Sequence, residues 1–326
     1  MPDNSLDEQL HKYLTDAHAI EIQALAQLKR APKIAGGDEL ARMYAQHERE
    51  TEEQKGLVEE RLEAHGESST KLKDVVADVT GVGMYLFAKF NPDSPGKLAA
   101  HAHSYEAMEE AAYEFLWRVA ERAGDAETAQ VARTILEQEK AMKARIFEHF
   151  DATVEASLRE KNADDLQEEL VKYLTDAHAI EAQAIQMLEA APKIVGDVPE
   201  LEKLFEDHLD ETRAQQQIVK ARLDALDASP NKLQDAAMRL GALNIGGFFK
   251  ANPDTPAKLA GFSYAFEHLE IGAYEELKRV AQRAGDGETV RVAERIEAEE
   301  RAAANAIAAN WEIALQASLE SVGAAA

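Results

Sequence analysis

The chain has 326 residues, with 36 Lys and Arg against 61 Asp and Glu, a formal charge of −25 and no cysteine. That length suits two domains with separate cores, and so negative a surface repels phosphate backbones and anionic lipid, so neither nucleic acid nor a membrane is an expected partner. The absence of cysteine excludes disulfides, zinc ribbons, thiolate-held iron–sulfur clusters and a catalytic thiol.

Glycine and proline are scarce, at 17 and 9, and Ala, Leu and Glu abound, which is helix-forming composition. The start, MPDNSLDEQL, lacks the basic and apolar stretches of a signal peptide. The most apolar short run, Val82–Phe90, holds a lysine and is too short to span a bilayer. A reducing cytoplasm is the expected compartment.

In chain order, the first predicted helix covers about Leu6–Arg30 and stops in a loop holding Pro32 and Gly36–Gly37. The second begins near Asp38, a plausible N-cap, and ends near Gly66. A long link follows, with a short amphipathic helix around Lys71–Phe90. The third helix begins near Ser94–Pro95, proline suiting a first turn, and ends at Gly124. The fourth begins after Asp125 and runs past Phe150; the polar stretch Lys161–Asp165 reads as a tight linker.

The series then repeats. KYLTDAHAIE occurs at Lys12–Glu21 and again at Lys172–Glu181; APKI recurs at Ala31 and Ala191, NPD at Asn91 and Asn252, and RAGD at Arg122 and Arg283. Two tandem domains are expected, residues 1–160 and 161–326, each of four helices. Short links join antiparallel neighbours, and the long second-to-third link crosses the bundle. The expected fold is therefore all-α, as two tandem ferritin-like four-helix bundles, with the two domains pairing within the chain and room for a homo-oligomer.

The apolar seams of these helices are breached by polar residues. Glu21 interrupts Leu14, Ala17 and Leu28 on the first helix, and His47, Glu50 and Gln54 follow one another on the second. Glu106 and Glu109 interrupt the third, and Glu139 the fourth. The second copy repeats the breach with Glu181, His208, Glu211, Gln215, Glu267, Glu270 and Glu300. Glu21 and His47 stand equally far from the first loop, and Glu109 and Glu139 equally far from Gly124, so each pair is level. His11, His65, His101, His103 and His149 have no histidine counterpart and are expected at the surface; His18 and His178 do recur. Several unpaired carboxylates in an apolar interior cost several kcal/mol each. Two divalent cations per bundle would neutralise them, and oxygen-rich donors with one imidazole favour iron or manganese.

The spacing Asp16–Glu21, the run His47–Thr51 (HERET) with its copy His208–Thr212, the pair Glu106 and Glu109 followed by Tyr113, and the step Glu139–Lys140 together resemble the YciE/YciF family. These are ferritin-like proteins associated with bacterial stress responses. The resemblance covers nearly the whole chain, twice; Ala107 stands where the second copy has His268. It implies a di-metal centre, of iron, in each copy. The ligands it implies are Glu21, His47, Glu50, Glu106, Glu109 and Glu139, and then Glu181, His208, Glu211, Glu267, Glu270 and Glu300. Three functions stay open from the sequence: a redox protein oxidising ferrous ion with dioxygen or peroxide, a metal-binding or structural stress protein without turnover, and an interaction protein with an empty site.

Overall fold

The computed structural model describes residues 3–66, 94–228 and 255–324. The short helix expected around Lys71–Phe90 lies outside them. The first copy contributes α1 (Asp3–Leu28), α2 (Ala31–Ile34), α3 (Asp38–Ala64), α4 (Pro95–Ala123), α5 (Ala126–Glu148) and α6 (Phe150–Leu158). The second contributes α7 (Ala163–Val195), α8 (Pro199–Ala225), α9 (Thr255–Ala284), α10 (Gly287–Ala308) and α11 (Trp311–Ser321). Among the described residues there are helices and turns and no strand, so the fold is all-α.

The helix ends follow local chemistry. The Ser94 hydroxyl accepts from the Lys97 amide at the start of α4, and Pro95 occupies a first-turn position that needs no amide hydrogen. Gly124, at φ 75°, closes α4 in the left-handed region. Asp125 caps α5 through the Thr128 amide (3.0 Å) while its carboxylate pairs with Arg61 (3.2 Å) and His65 (2.7 Å), tying the end of α3 to the start of α5. Asn162 and Asp165 form a reciprocal capping box that starts α7 directly after the polar linker.

Each copy packs as a four-helix bundle. α4 lies between α1 and α5, and α3 closes the ring against α1 and α5; α7, α8, α9 and α10 repeat the arrangement. The second and third long helices of each copy thus sit diagonally, as a long crossing link requires.

One boundary differs from the expectation. The fourth helix does not run on past Phe150: it stops at Glu148, and α6 restarts at Phe150. The bend carries α6 onto the other bundle. Val154 and Leu158 join a core made of Leu170, Tyr173 and Leu174, and Arg279 and Arg283 of α9 hold Asp151 and Glu155. The second copy reciprocates, with Trp311 of α11 edge-on to Phe115 of α4 (5.0 Å between centroids) and Glu312 held by Arg118 (2.9 Å) and Arg122. Apolar burial against the partner bundle outweighs the helical continuity lost at His149.

The bundles meet along α4 and α9, which run antiparallel. The Ser104 hydroxyl donates to the Ala265 carbonyl (2.6 Å), and Lys97–Asp176 (3.3 Å) and Lys258–Asp16 (2.8 Å) are equivalent ion pairs on either side. His103 is buried here, not exposed as expected, because this face of α4 is covered by the second copy. Its Nε2 lies 3.1 Å from Nδ1 of His268. Burial, with the Lys143 cation nearby, pushes His103 down to about 3, so the ring is neutral. A Cβ on Gly272 would stand 3.0 Å from Ala100 Cα, so even a methyl there requires the two backbones to give by about a few tenths of an ångström. Gly272→Leu is therefore expected to lower unfolding free energy by about 1–3 kcal/mol, read from denaturant midpoints; a loss of about a few tenths would mean the helices separate freely.

Candidate metal centre

The seams converge at one level in each bundle. α1 contributes Glu21, α3 contributes His47, α4 contributes Glu106 and Glu109 one turn apart, and α5 contributes Glu139; all are buried. His47 Nε2 lies 3.1 Å from Glu106 Oε1 and 4.0 Å from Glu139 Oε2. One ligand atom each from His47, Glu106, Glu109 and Glu139 fits within 4.8 Å of all the others. In the second bundle His208 Nε2 lies 2.9 Å from Glu267 Oε2 and 3.8 Å from Glu300 Oε2, and these three residues meet the same test. Glu181 and Glu270 are buried beside them.

Glu50 and Glu211 sit differently from the seam expectation. The Glu50 side chain is 33% exposed and that of Glu211 is 60% exposed, each with Oε2 3.6 Å from Nδ1 of its histidine. They stand three residues beyond His47 and His208, about 60° short of a full turn, which rotates them to the rim of the bundle. The recurring His18 and His178 lie on the flank: His18 Nε2 contacts Glu59 Oε1 at 2.9 Å, whereas His178 faces Lys220, the residue at the matching position. His101, expected at the surface, is buried and stacks on Tyr105.

Supporting side chains hold the carboxylates. Tyr113 and Tyr274 donate their hydroxyls to Glu21 and Glu181. The Gln54 amide donates to Glu139 and to Gln138 Oε1 (3.1 Å); its counterpart Gln215 donates instead to Glu299 (3.2 Å). The glutamines already stood out as polar residues on an apolar seam, but no pattern in the text says which carboxylate they reach. Thr51 and Thr212 turn inward and satisfy themselves on the carbonyls of His47 (3.0 Å) and His208 (2.9 Å).

These donors leave the centre short of positive charge. Burial pushes Glu21 and Glu181 each up to about 8, partly opposed by the tyrosine hydroxyls. Burial and then neighbouring carboxylates raise Glu109, Glu139, Glu270 and Glu300 well above the usual range. Burial alone would lower His208, yet Glu267 and Glu211 carry it up to about 9, and His47 is raised well above its ordinary value by Glu106. Each centre thus has one histidine, favoured in its charged form by the acids around it, facing several carboxyl groups. Many oxygens remain without a hydrogen bond: Oε2 of Glu21, Glu106, Glu109 and Glu139, Oε2 of Glu181, both oxygens of Glu270 and Oε1 of Glu300. Buried acceptors without donors are costly, and these point at one another. The donor set suits hard or borderline divalent cations, being mostly carboxylate with one nitrogen.

No helix among the described residues is long and apolar enough to cross a membrane. Among solved structures, a protein from Xanthomonas campestris pv. campestris str. ATCC 33913 is 33% identical, over 48% of this chain and 96% of that chain, with a TM-score of 0.38. Comparison with protein families matches residues 5–159 and 165–320 to one family, described as Domain of unknown function (DUF892). With both copies matched over nearly their whole length, the chain belongs to that family.

Proposed function

We propose that the chain is a ferritin-like di-metal carboxylate protein, each bundle holding two divalent ions, iron in the first instance and manganese as the alternative. The observation that carries this reading is the set of buried carboxyl oxygens without a hydrogen-bond partner that gather, in each bundle, from three helices around the histidine of a fourth. In the first bundle Glu21, His47, Glu106, Glu109 and Glu139 would supply the inner ligands, with Glu50 closing the outer side; Glu181, His208, Glu267, Glu270, Glu300 and Glu211 would do so in the second. A ferrous pair so held would supply electrons to dioxygen or peroxide. The protein's own part is to orient and desolvate. Tyr113 fixes Glu21, Gln54 fixes Glu139, and the carboxyl protons leave as cations take their place. The resemblance to the YciE/YciF family supports the same centre and adds a link to stress responses in the cytoplasm.

Elemental analysis of the purified chain is the first test, with about four ions per chain expected. Ferrous ion added under air to the metal-free protein is then expected to develop a near-ultraviolet ferric absorption faster than in buffer. Bound metal without that acceleration would favour a metal-binding stress protein with no turnover. Metal at background level in the purified chain and after loading would overturn the reading.

A further inference from the structure

The candidate ligands are the same in both copies, but the surroundings of the two centres are not. In the first bundle a pocket between α1, α3 and α4 ends on Glu106, a candidate ligand; Gln27, Tyr44, His101 and Tyr105 line it among alanines and leucines of the same helices. Gln27 is half-buried and forms the outer part; the other three are buried. The Tyr44 hydroxyl and the Gln27 amide nitrogen have no hydrogen-bond partner, and neither has the Glu106 Oε2 at the inner end. Tyr105 donates to the Ile20 carbonyl (3.0 Å), and His101 stacks on its ring.

At the matching positions the second copy has Met187, Phe205, Phe262 and Phe266. All four are buried, and the Phe262 and Phe266 rings lie 6.5 Å apart. The Ser263 hydroxyl is directed at the Met187 sulfur (3.8 Å). Four polar side chains leading to one centre are thus four apolar ones leading to the other, while every proposed ligand is retained.

That difference acts on charged solutes. A divalent cation sheds water to reach buried carboxylates, and each lost hydration contact is costly unless a polar group replaces it. Gln27 and Tyr44, whose polar atoms have no partner, offer such groups; a wall of phenylalanine and methionine offers none.

We propose that the two centres divide the work of metal exchange: divalent cations enter and leave the first centre through the Gln27–Tyr44–His101–Tyr105 pocket, and the second centre, closed behind Phe205, Phe262 and Phe266, exchanges its metal slowly. This rests on the metal-binding reading above and adds the route and its asymmetry.

The test uses the full-length metal-free chain and cobalt(II) alone, followed by its visible absorption in stopped flow, with release measured by adding a chelator. Uptake is expected in two phases of similar amplitude, separated by about tenfold or more, as lost polar partners along the path would give. Glu139→Gln should remove the fast phase and Glu300→Gln the slow one. The combined variant Gln27→Met, Tyr44→Phe, His101→Phe and Tyr105→Phe borrows the second copy's own residues, so the fold tolerates that chemistry in the same setting. It should slow the fast phase toward the slow one with the cobalt capacity unchanged. Phe205→Tyr with Phe266→Tyr should do the reverse in the second bundle. A single phase, a fast phase assigned to the second centre, or a combined variant of unchanged rate overturns the division while leaving metal binding intact. Absence of cobalt uptake by both centres overturns the metal reading itself, and this inference with it.

Discussion

Replacing Glu139 and Glu300 together by glutamine is expected to weaken divalent-metal binding by at least about a hundredfold while making the metal-free protein more stable. Both side chains are fully buried, and burial with neighbouring carboxylates favours their protonated form, raising both well above the usual carboxyl range. Glutamine has nearly the shape of a protonated glutamic acid but cannot lose a proton to become an anionic ligand. The folded wild type therefore holds these protons more tightly than the unfolded chain does, which costs stability once the unfolded chain has released them. Glutamine removes that cost. Its loss as a ligand exceeds the ten- to hundredfold that an outer partner of a ligand contributes. Calorimetric titration with manganese(II), beside denaturant unfolding in chelator, reads both effects. A variant that binds metal as the wild type does, or whose metal-free form is clearly less stable, would contradict the role given to these two carboxyls.

A second large effect concerns pH. Glu21 and Glu181 are raised from 4.5 to about 8 in the folded chain. Below about 4.5 both states are protonated and the folded state bears no penalty from these groups. Between 4.5 and 8 the unfolded chain has released its protons and the folded chain keeps them, so stability falls as pH rises, and the loss is complete above about 8. His208 acts in the same direction, its contribution being present below 6.5 and lost as pH rises through about 9. Glu50 has the opposite sign, being lowered to about 2 by its contact with His47, but its window lies below 4.5. The metal-free protein is therefore expected to lose stability steadily from about pH 5 to about pH 9. Divalent metal displaces the same protons, so its stabilising effect should grow over that range. Thermal unfolding in chelator and in excess manganese(II), at several pH values, checks this; a flat metal-free profile would show that the carboxyls are already neutralised within the protein.

Much of this was readable as text. The repeated decapeptide announces the duplication, and Ser94–Pro95, Gly124 and Asp125 mark helix ends because capping is decided within a few residues. Glu21, His47, Glu106, Glu109 and Glu139 stand out because each breaks an apolar seam at a level matched by its hairpin partner. Glu50 shows the weakness of that argument. A three-residue step from His47 is about 60° short of a full turn, enough to carry a side chain from the core to the rim. The same step from Glu106 to Glu109 stays buried, because α4 is covered on one side by its own bundle and on the other by α9.

That second covering lay outside any local pattern. His103 reads as a surface histidine because the second copy has no histidine at the matching position, and it is buried because another copy of the same unit lies against it. The break at His149 has no proline or glycine to announce it; it follows from the apolar surface that α6 finds on the second bundle. Helix type, helix ends and the residues that breach the seams depend on neighbours along the chain, and these the amino-acid order carries by itself. Which breaches meet, which glutamate turns to the rim and which histidines become interior depend on how helices far apart in the chain pack, and only the folded arrangement settles them.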